Sequence, residues 1–349
     1  MAVRHIFCNF ATVITHGMKI PGKIICALVL LLAMSLQSRA TEEERTFKII
    51  NAANGLADNS AQIVKCTKTG RLIIATIGNL NFYDGKSFTH AETRPECEYS
   101  LPLYHGHYHL YFDRFHHIWL KNKGKVTCLD TMTERYIENV DSVIRHLGCQ
   151  ESVVDLFTDQ YSQLWLLTQK GLFNPATNKT YSVQRDRILQ DVEFLDNILY
   201  TFYDNGEVIG IDSLGNNVCQ VAAYDWNIKG KMYAGTSVLQ PYGDGFFQIR
   251  NGGGEDGAKG AILLFFNARK KSFETIAEID YHLNNMALDR QGENIYLPSE
   301  YGYWVYNLAS GEMEHVKEIM LADGTTIQTD CNIRSEERRV GKECRSRWS

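Results

Sequence analysis

The sequence predicts an all-β protein folded as a β-propeller. Three observations predict it: a strand-turn-strand pattern recurs every 35 to 49 residues, most of its third runs close on Asp or Asn, and helical periodicity is nearly absent. In each repeat a β-branched or aromatic run is followed by a polar turn, a second run holding one bulky residue, a Gly-containing turn and a third run. The second runs are residues 71–76, 117–121, 163–168, 197–202, 245–249 and 294–298. Their anchors, Ile73, Trp119, Trp165, Tyr200, Phe247 and Tyr296, lie 46, 46, 35, 47 and 49 residues apart. Periods of about 40 to 50 with several short strands per unit are the signature of propeller blades.

The third runs, residues 80–84, 125–130, 171–174, 207–212, 261–267 and 303–307, supply the third strand of each blade. Asx side chains bond their own downstream backbone, so Asp84, Asp130, Asn174, Asp212, Asn267 and Asn307 are read as turn formers and not as catalytic groups. Only the stretch 139–147 has the pattern of a short helix.

Both ends are set aside before the fold is considered. Residues 18–23 form a basic n-region with Met18 as the preferred initiator, residues 24–36 an apolar h-region, and Ser38-Arg39-Ala40 a cleavage site, so 1–40 reads as a signal-peptide region. No small residue directly precedes Cys26, which argues against a lipid anchor. Residues 334–349 resemble the translation of a sequencing adapter, and a disordered tail is expected there. Removing four basic residues ahead of Thr41 and a net +3 beyond Ile333 takes the formal charge from −5 to −12. An acidic domain over 41–333 argues against a nucleic-acid partner, which requires clustered Lys and Arg. Six cysteines remain, Cys66, Cys97, Cys128, Cys149, Cys219 and Cys331, with no C-x-x-C spacing; they read as strand cysteines, and disulfides are open to an exported chain.

Particular letters then narrow the class. Asn54-Gly-Leu-Ala-Asp-Asn59, Thr69-Gly70, residues 73–76 and Leu80-Asn-Phe-Tyr-Asp-Gly85 resemble the two-component regulator propeller repeat. The third unit repeats it around Asp159, Trp165 and Gly171-Leu172, and the sixth around Asp289, Gly292 and Tyr296. The resemblance implies the N-terminal periplasmic sensor part of a hybrid two-component system histidine kinase, with about six of an expected seven four-stranded blades present. It also implies a membrane helix and kinase beyond this chain, a homodimer in the full-length protein, and an oligosaccharide as ligand. Residues 46–50 are the expected closing strand, and residues 321–330 look like the opening of a next blade. With one blade missing, the inner faces of blades one and six are expected to be exposed, giving poor solubility or dimerisation.

Candidate chemistry is sparse. His105, His107 and His109 alternate along one strand face, an arrangement that presents imidazoles to a metal. Three ligands at spacings of about 6 to 7 Å are too far apart for one ion without a bend, so a histidine face is the reading kept and metal is the alternative. No nucleophile elbow and no Ser/His/Asp spacing occurs, residues 41–333 carry no kinase motif, and no catalytic residue or cofactor is expected. The glycines at 252–254 precede no Lys-Ser/Thr pair and read as a hairpin insertion. Sugar recognition uses aromatic platforms, and those in apparent loops are Tyr104, Tyr224, Trp226, Tyr242 and Tyr301. The favoured function is thus a periplasmic sensing module. The alternatives are a secreted propeller enzyme, a polysaccharide lyase or glycoside hydrolase, and an exported protein-binding scaffold.

Overall fold

The computed structural model describes residues 46–329 apart from 68, 69, 107, 222–232, 253–259, 284, 290 and 300. From Phe47 on they form one compact unit; of the other unit, Met1–Thr46, only Thr46 is described. The expected signal region, the adapter-like tail and Cys331 lie outside the described residues. Six four-stranded antiparallel sheets form the ring, each running in sequence order from an innermost to an outer strand. The innermost strands are Ile63–Cys66, His109–Phe112, Val153–Thr158, Leu189–Leu195, Tyr233–Tyr242 and Ala287–Leu288. In blade two the outer position is shared, Glu98–Ser100 and Arg135–Tyr136 both pairing with Lys125–Asp130. All six expected blades are therefore present. The one predicted helix is also there, Val140–His146, with the Asn139 side chain accepting from Ser142 N at 2.9 Å.

The repeated letters have identifiable tasks. Asp113 Oδ1 accepts from Phe115 N and His117 N, while its Oδ2 accepts from Trp119 Nε1 at 2.7 Å. Asp159 repeats this with Tyr161 N, Gln163 N and Trp165 Nε1, the last at 3.1 Å. One turn carboxylate thus closes the loop and satisfies the polar handle of a fully buried indole, which would otherwise cost free energy to bury. The Asx residues closing the third strands behave as expected. Asp84, Asp130, Asn174, Asp212, Asn267 and Asn307 each accept from backbone N–H groups two to four residues on. Gly171 is required in its turn: φ is +140°, and a Cβ would sit 2.2 Å from Tyr181 O.

The core lies between blades rather than within them. Five apolar clusters span the seams one/two, two/three, three/four, four/five and five/six, anchored by side chains such as Leu80, Trp119, Trp165, Phe202 and Ile249. Each such residue contributes about 1.5–3 kcal/mol by leaving water. Among the described residues no comparable cluster spans six and one. There, the strand that ends at Phe47 pairs with Glu318–Leu321, which pairs in turn with Thr326–Gln328. Phe47 meets Tyr303 of blade six at 6.2 Å between ring centroids, and Lys48 Nζ donates to Tyr83 Oη of blade one at 3.1 Å. The expected closing strand and the expected opening of a next blade therefore meet in one small sheet. The five described cysteines of the domain carry no disulfide; four are buried and Cys66 is exposed.

Candidate functional site

Residues seven or eight positions ahead of the first five anchors face them across the first strand pair: Lys65 opposite Ile73, Tyr111 opposite Trp119, Phe157 opposite Trp165, Glu193 opposite Tyr200, and Gln240 opposite Phe247; Ala287 faces Tyr296 from nine ahead. Two residues nearer the N-terminus along each strand lie Ile63, His109, Asp155 and Asp191, facing Ala75, Lys121, Leu167 and Phe202. The anchors hold the second strands in the core, so these two tiers are carried to the middle of the ring. A cavity of about 470 Å³ opens there, lined from all six blades, with Lys65, His109, Tyr111, Asp191, Glu193 and Gln240 among its walls. That volume falls within the range of about 300–1,000 Å³ common to small-molecule sites.

Its electrostatics are uneven from blade to blade. Asp155 is buried with Lys121, whose Nζ lies 2.8 Å from Oδ1 and sits 4.2 Å from the Tyr104 ring centroid, 4.5 Å from that of Phe157 and 5.3 Å from that of Tyr111. Burial pushes both partners toward neutrality, and their contact opposes it. Asp191 sits at the same register. Each aspartate follows a shift in strand register and accepts from the next backbone N–H, Leu156 N at 2.7 Å and Val192 N at 2.9 Å. The residue of blade three matching Lys121, however, is Leu167, and among the described residues no Lys or Arg forms an ion pair with Asp191 or Glu193.

Burial consequently pushes the Asp191 carboxyl up to about 7, with the Val192 N–H, Lys121 and Lys65 opposing and Asp155 adding to the rise. Burial, then the Asp191 charge, pushes Glu193 well above the usual carboxylate range, although Gln160 N donates to its Oε2 at 2.9 Å. His109 is held neutral, down to about 3, by burial and by the charges of Lys121 and Lys65. Tyr111 is 8% exposed, and its Oη has no hydrogen-bond partner among the described residues.

The residues singled out from sequence are not gathered at one place. Tyr104 is buried against Lys121 in blade two, and a Cβ on Gly106 would press to 2.6 Å from its hydroxyl. Tyr242 ends the innermost strand of blade five, 38% exposed, next to Gln240 and Pro241 of the cavity wall. Tyr301 in blade six packs on Tyr281 at 4.8 Å, and its carbonyl meets His315 Nε2 at 2.6 Å. Tyr224 and Trp226 lie outside the described residues. His105 is exposed and His109 half-buried, while His107 lies outside them; among the described residues no group of three potential ligands could hold a metal ion. The sequence reading missed Asp191, Glu193 and Tyr111. Their signal was the offset from the anchors, which marks the innermost strands independently of residue type, though not every side chain there reaches the cavity, as Phe157 shows.

No protein-family model and no curated protein matches the sequence. Among solved structures, the chain is similar to an extracellular domain assigned to the hybrid two-component system BT3049 of B. thetaiotaomicron. The TM-score is 0.51 at 15% identity, covering 82% of this chain and 40% of that one. It is also similar to PorZ, a surface component of the type-IX secretion system of Porphyromonas gingivalis, with TM-score 0.52, 14% identity, and 77% and 34% of the two chains covered. The chain thus spans two fifths or less of the length of these structures. At such identities the likeness is one of fold.

Proposed function

We propose that residues 41–333 are the ligand-sensing propeller of a two-component signalling system, exported to the periplasm, and that the ligand is an oligosaccharide held at the central channel. The observation that carries this reading is the channel cavity: polar side chains of several blades converge there, among them a buried hydroxyl with no hydrogen-bond partner among the described residues. The repeat letters around residues 54–85 and the similarity to the BT3049 extracellular domain support the same class. Tyr242, exposed beside the cavity wall, supplies an aromatic face to a pyranose ring, and Tyr301 a second candidate face in blade six. In this reading the chain itself is not an enzyme, needs no cofactor and binds no nucleic acid. The full-length protein is a homodimeric histidine kinase anchored in the inner membrane; among the described residues no helix is long and apolar enough to cross a membrane.

The test is calorimetric titration of the purified chain with a panel of oligosaccharides, paired with chromatography of each glycan after incubation. Binding without cleavage, weakened at least about tenfold in Tyr242→Ala, is the expected result. Cleavage would transfer the chain to the lyase or hydrolase reading. Absence of binding across the panel would remove the sugar ligand and leave the scaffold reading, toward which the similarity to PorZ points.

A further inference from the structure

Blades three and four carry the same buried acid at the same register and treat it differently. Asp155 receives the Lys121 ammonium from the second strand of blade two, inside a box of three aromatic rings. For Asp191 the matching position on blade three is Leu167, so the preceding blade supplies no cation. Unlike Asp155, Asp191 lines the channel cavity, with Glu193 two residues further along the same strand. Beside this pair lies Tyr111, over nine-tenths buried, lining the same cavity, with its hydroxyl unpartnered among the described residues. An acid at a position built for an ion pair and an orphaned hydroxyl in the same wall are separate observations, and each asks for a ligand group.

We propose that the channel takes a saccharide bearing a protonated amine, whose ammonium stands beside Asp191 as Lys121 stands beside Asp155, with Tyr111 Oη bonding a ring hydroxyl. This rests on the reading of the channel as the ligand site. The charged and titratable groups around Asp191 are Lys65 on blade one, Tyr104, His109, Tyr111 and Lys121 on blade two, Asp155 on blade three and Glu193 on its own strand. Lys121 is committed to Asp155, and Lys65 acts on both acids through its charge but forms no ion pair with either among the described residues, which leaves room for a second cation in contact with Asp191. An ammonium arriving there favours the ionised carboxylate, so binding is coupled to release of a proton from Asp191.

Calorimetry with a β-1,4 glucosamine tetramer and with its N-acetylated counterpart tests this. The amine-bearing tetramer is expected to bind at least about tenfold more tightly, and about fivefold or more tightly at pH 6.5 than at pH 5.0. Asp191→Asn should abolish both differences. Leu167→Lys, which places a lysine where blade two has one, should fill the position from within and abolish amine binding, while its urea midpoint at pH 7 does not fall. Equal binding of the N-acetylated tetramer, or an unchanged pH dependence in Asp191→Asn, overturns the amine inference and leaves the sugar reading standing. No binding of either tetramer likewise overturns it, whereas the sugar reading falls only if the whole glycan panel also fails.

Discussion

Replacing Lys121 with methionine leaves Asp155 buried with only the Leu156 N–H against its charge. The two side chains are 1% and 5% exposed, so solvent cannot take over the lost contact. Breaking a buried pair from one side costs about 3–5 kcal/mol. The cation–π contacts with Tyr104, Phe157 and Tyr111 are lost as well, but methionine sulfur regains about 0.3–1.5 kcal/mol against aromatic rings, so about 3 kcal/mol is the net expectation. The loss should shrink as pH falls, because burial raises the Asp155 pKa and the stranded carboxylate protonates more readily than an ordinary aspartate. The double variant Lys121→Met with Asp155→Leu removes the stranded charge and should return to within about 1 kcal/mol of the parent. Urea unfolding of the parent, both single variants and the double variant at pH 7 and pH 5 completes a mutant cycle. A Lys121→Met cost below about 1 kcal/mol, or a double variant as unstable as the single one, would refute the argument that this pair holds blades two and three in register through a buried charge.

Asp191 gives a pH prediction. Its carboxyl rises from the ordinary range to about 7, so the folded chain holds that proton more tightly than the unfolded chain. Stability from this group is therefore full below pH 4 and is lost as pH climbs to about 7, by up to about 4 kcal/mol for three units. Urea midpoints across that window should slope less in Asp191→Asn; an identical slope would show that other groups set it. Trp119→Phe removes the indole donor to Asp113 Oδ2, leaving His117 Nδ1 at 2.9 Å on that oxygen, and should cost about 2 kcal/mol, the range for a bond to a charged group; a loss under about 0.5 kcal/mol would mean that the turn does not depend on the indole. Among the described residues no apolar cluster spans blades six and one, and on blade one Val64 is 48% and Ile77 55% exposed. Sedimentation at micromolar concentration should detect association, reduced by Val64→Glu with Ile77→Glu, and a monodisperse parent monomer would contradict this.

How much of this was legible in the sequence follows from which positions the fold constrains. The second strands of blades one to five each insert a bulky side chain into an apolar seam, so Ile73, Trp119, Trp165, Tyr200 and Phe247 stand out at blade spacing; in blade six Tyr296 keeps the spacing but is half-buried, and Ile295 and Leu297 fill the seam instead. The turns need Asx chemistry, so Asp84 through Asn307 were readable by type. Asp159 was visible as a letter of the repeat, but its bond to the indole six residues on, and the same arrangement at Asp113, were not, because they depend on how the second strand folds back. The small sheet joining Phe47 to residues 318–328 was half legible. Both of its pieces could be picked out as strands, but their pairing spans nearly the whole domain.

The site was less legible, for a related reason. By sequence, aromatic residues in apparent loops offer themselves as ligand platforms, yet Tyr104 folds inward to cover Lys121 instead. The innermost strands border the channel, and their register position opposite the anchors is used differently from blade to blade. It holds Lys65, Tyr111, Phe157, Glu193 and Gln240 in successive blades, Phe157 packed in the three/four cluster and the others lining the cavity, with no shared letter for a repeat search to find. In a repeat protein this variation is itself informative. Where a core position changes, the neighbouring blade must compensate, as Lys121 does for Asp155. Where a channel position changes and no ion-pair partner accompanies it among the described residues, as with Asp191 where blade three offers Leu167 in place of a lysine, the position is free to answer to a group that the chain does not supply.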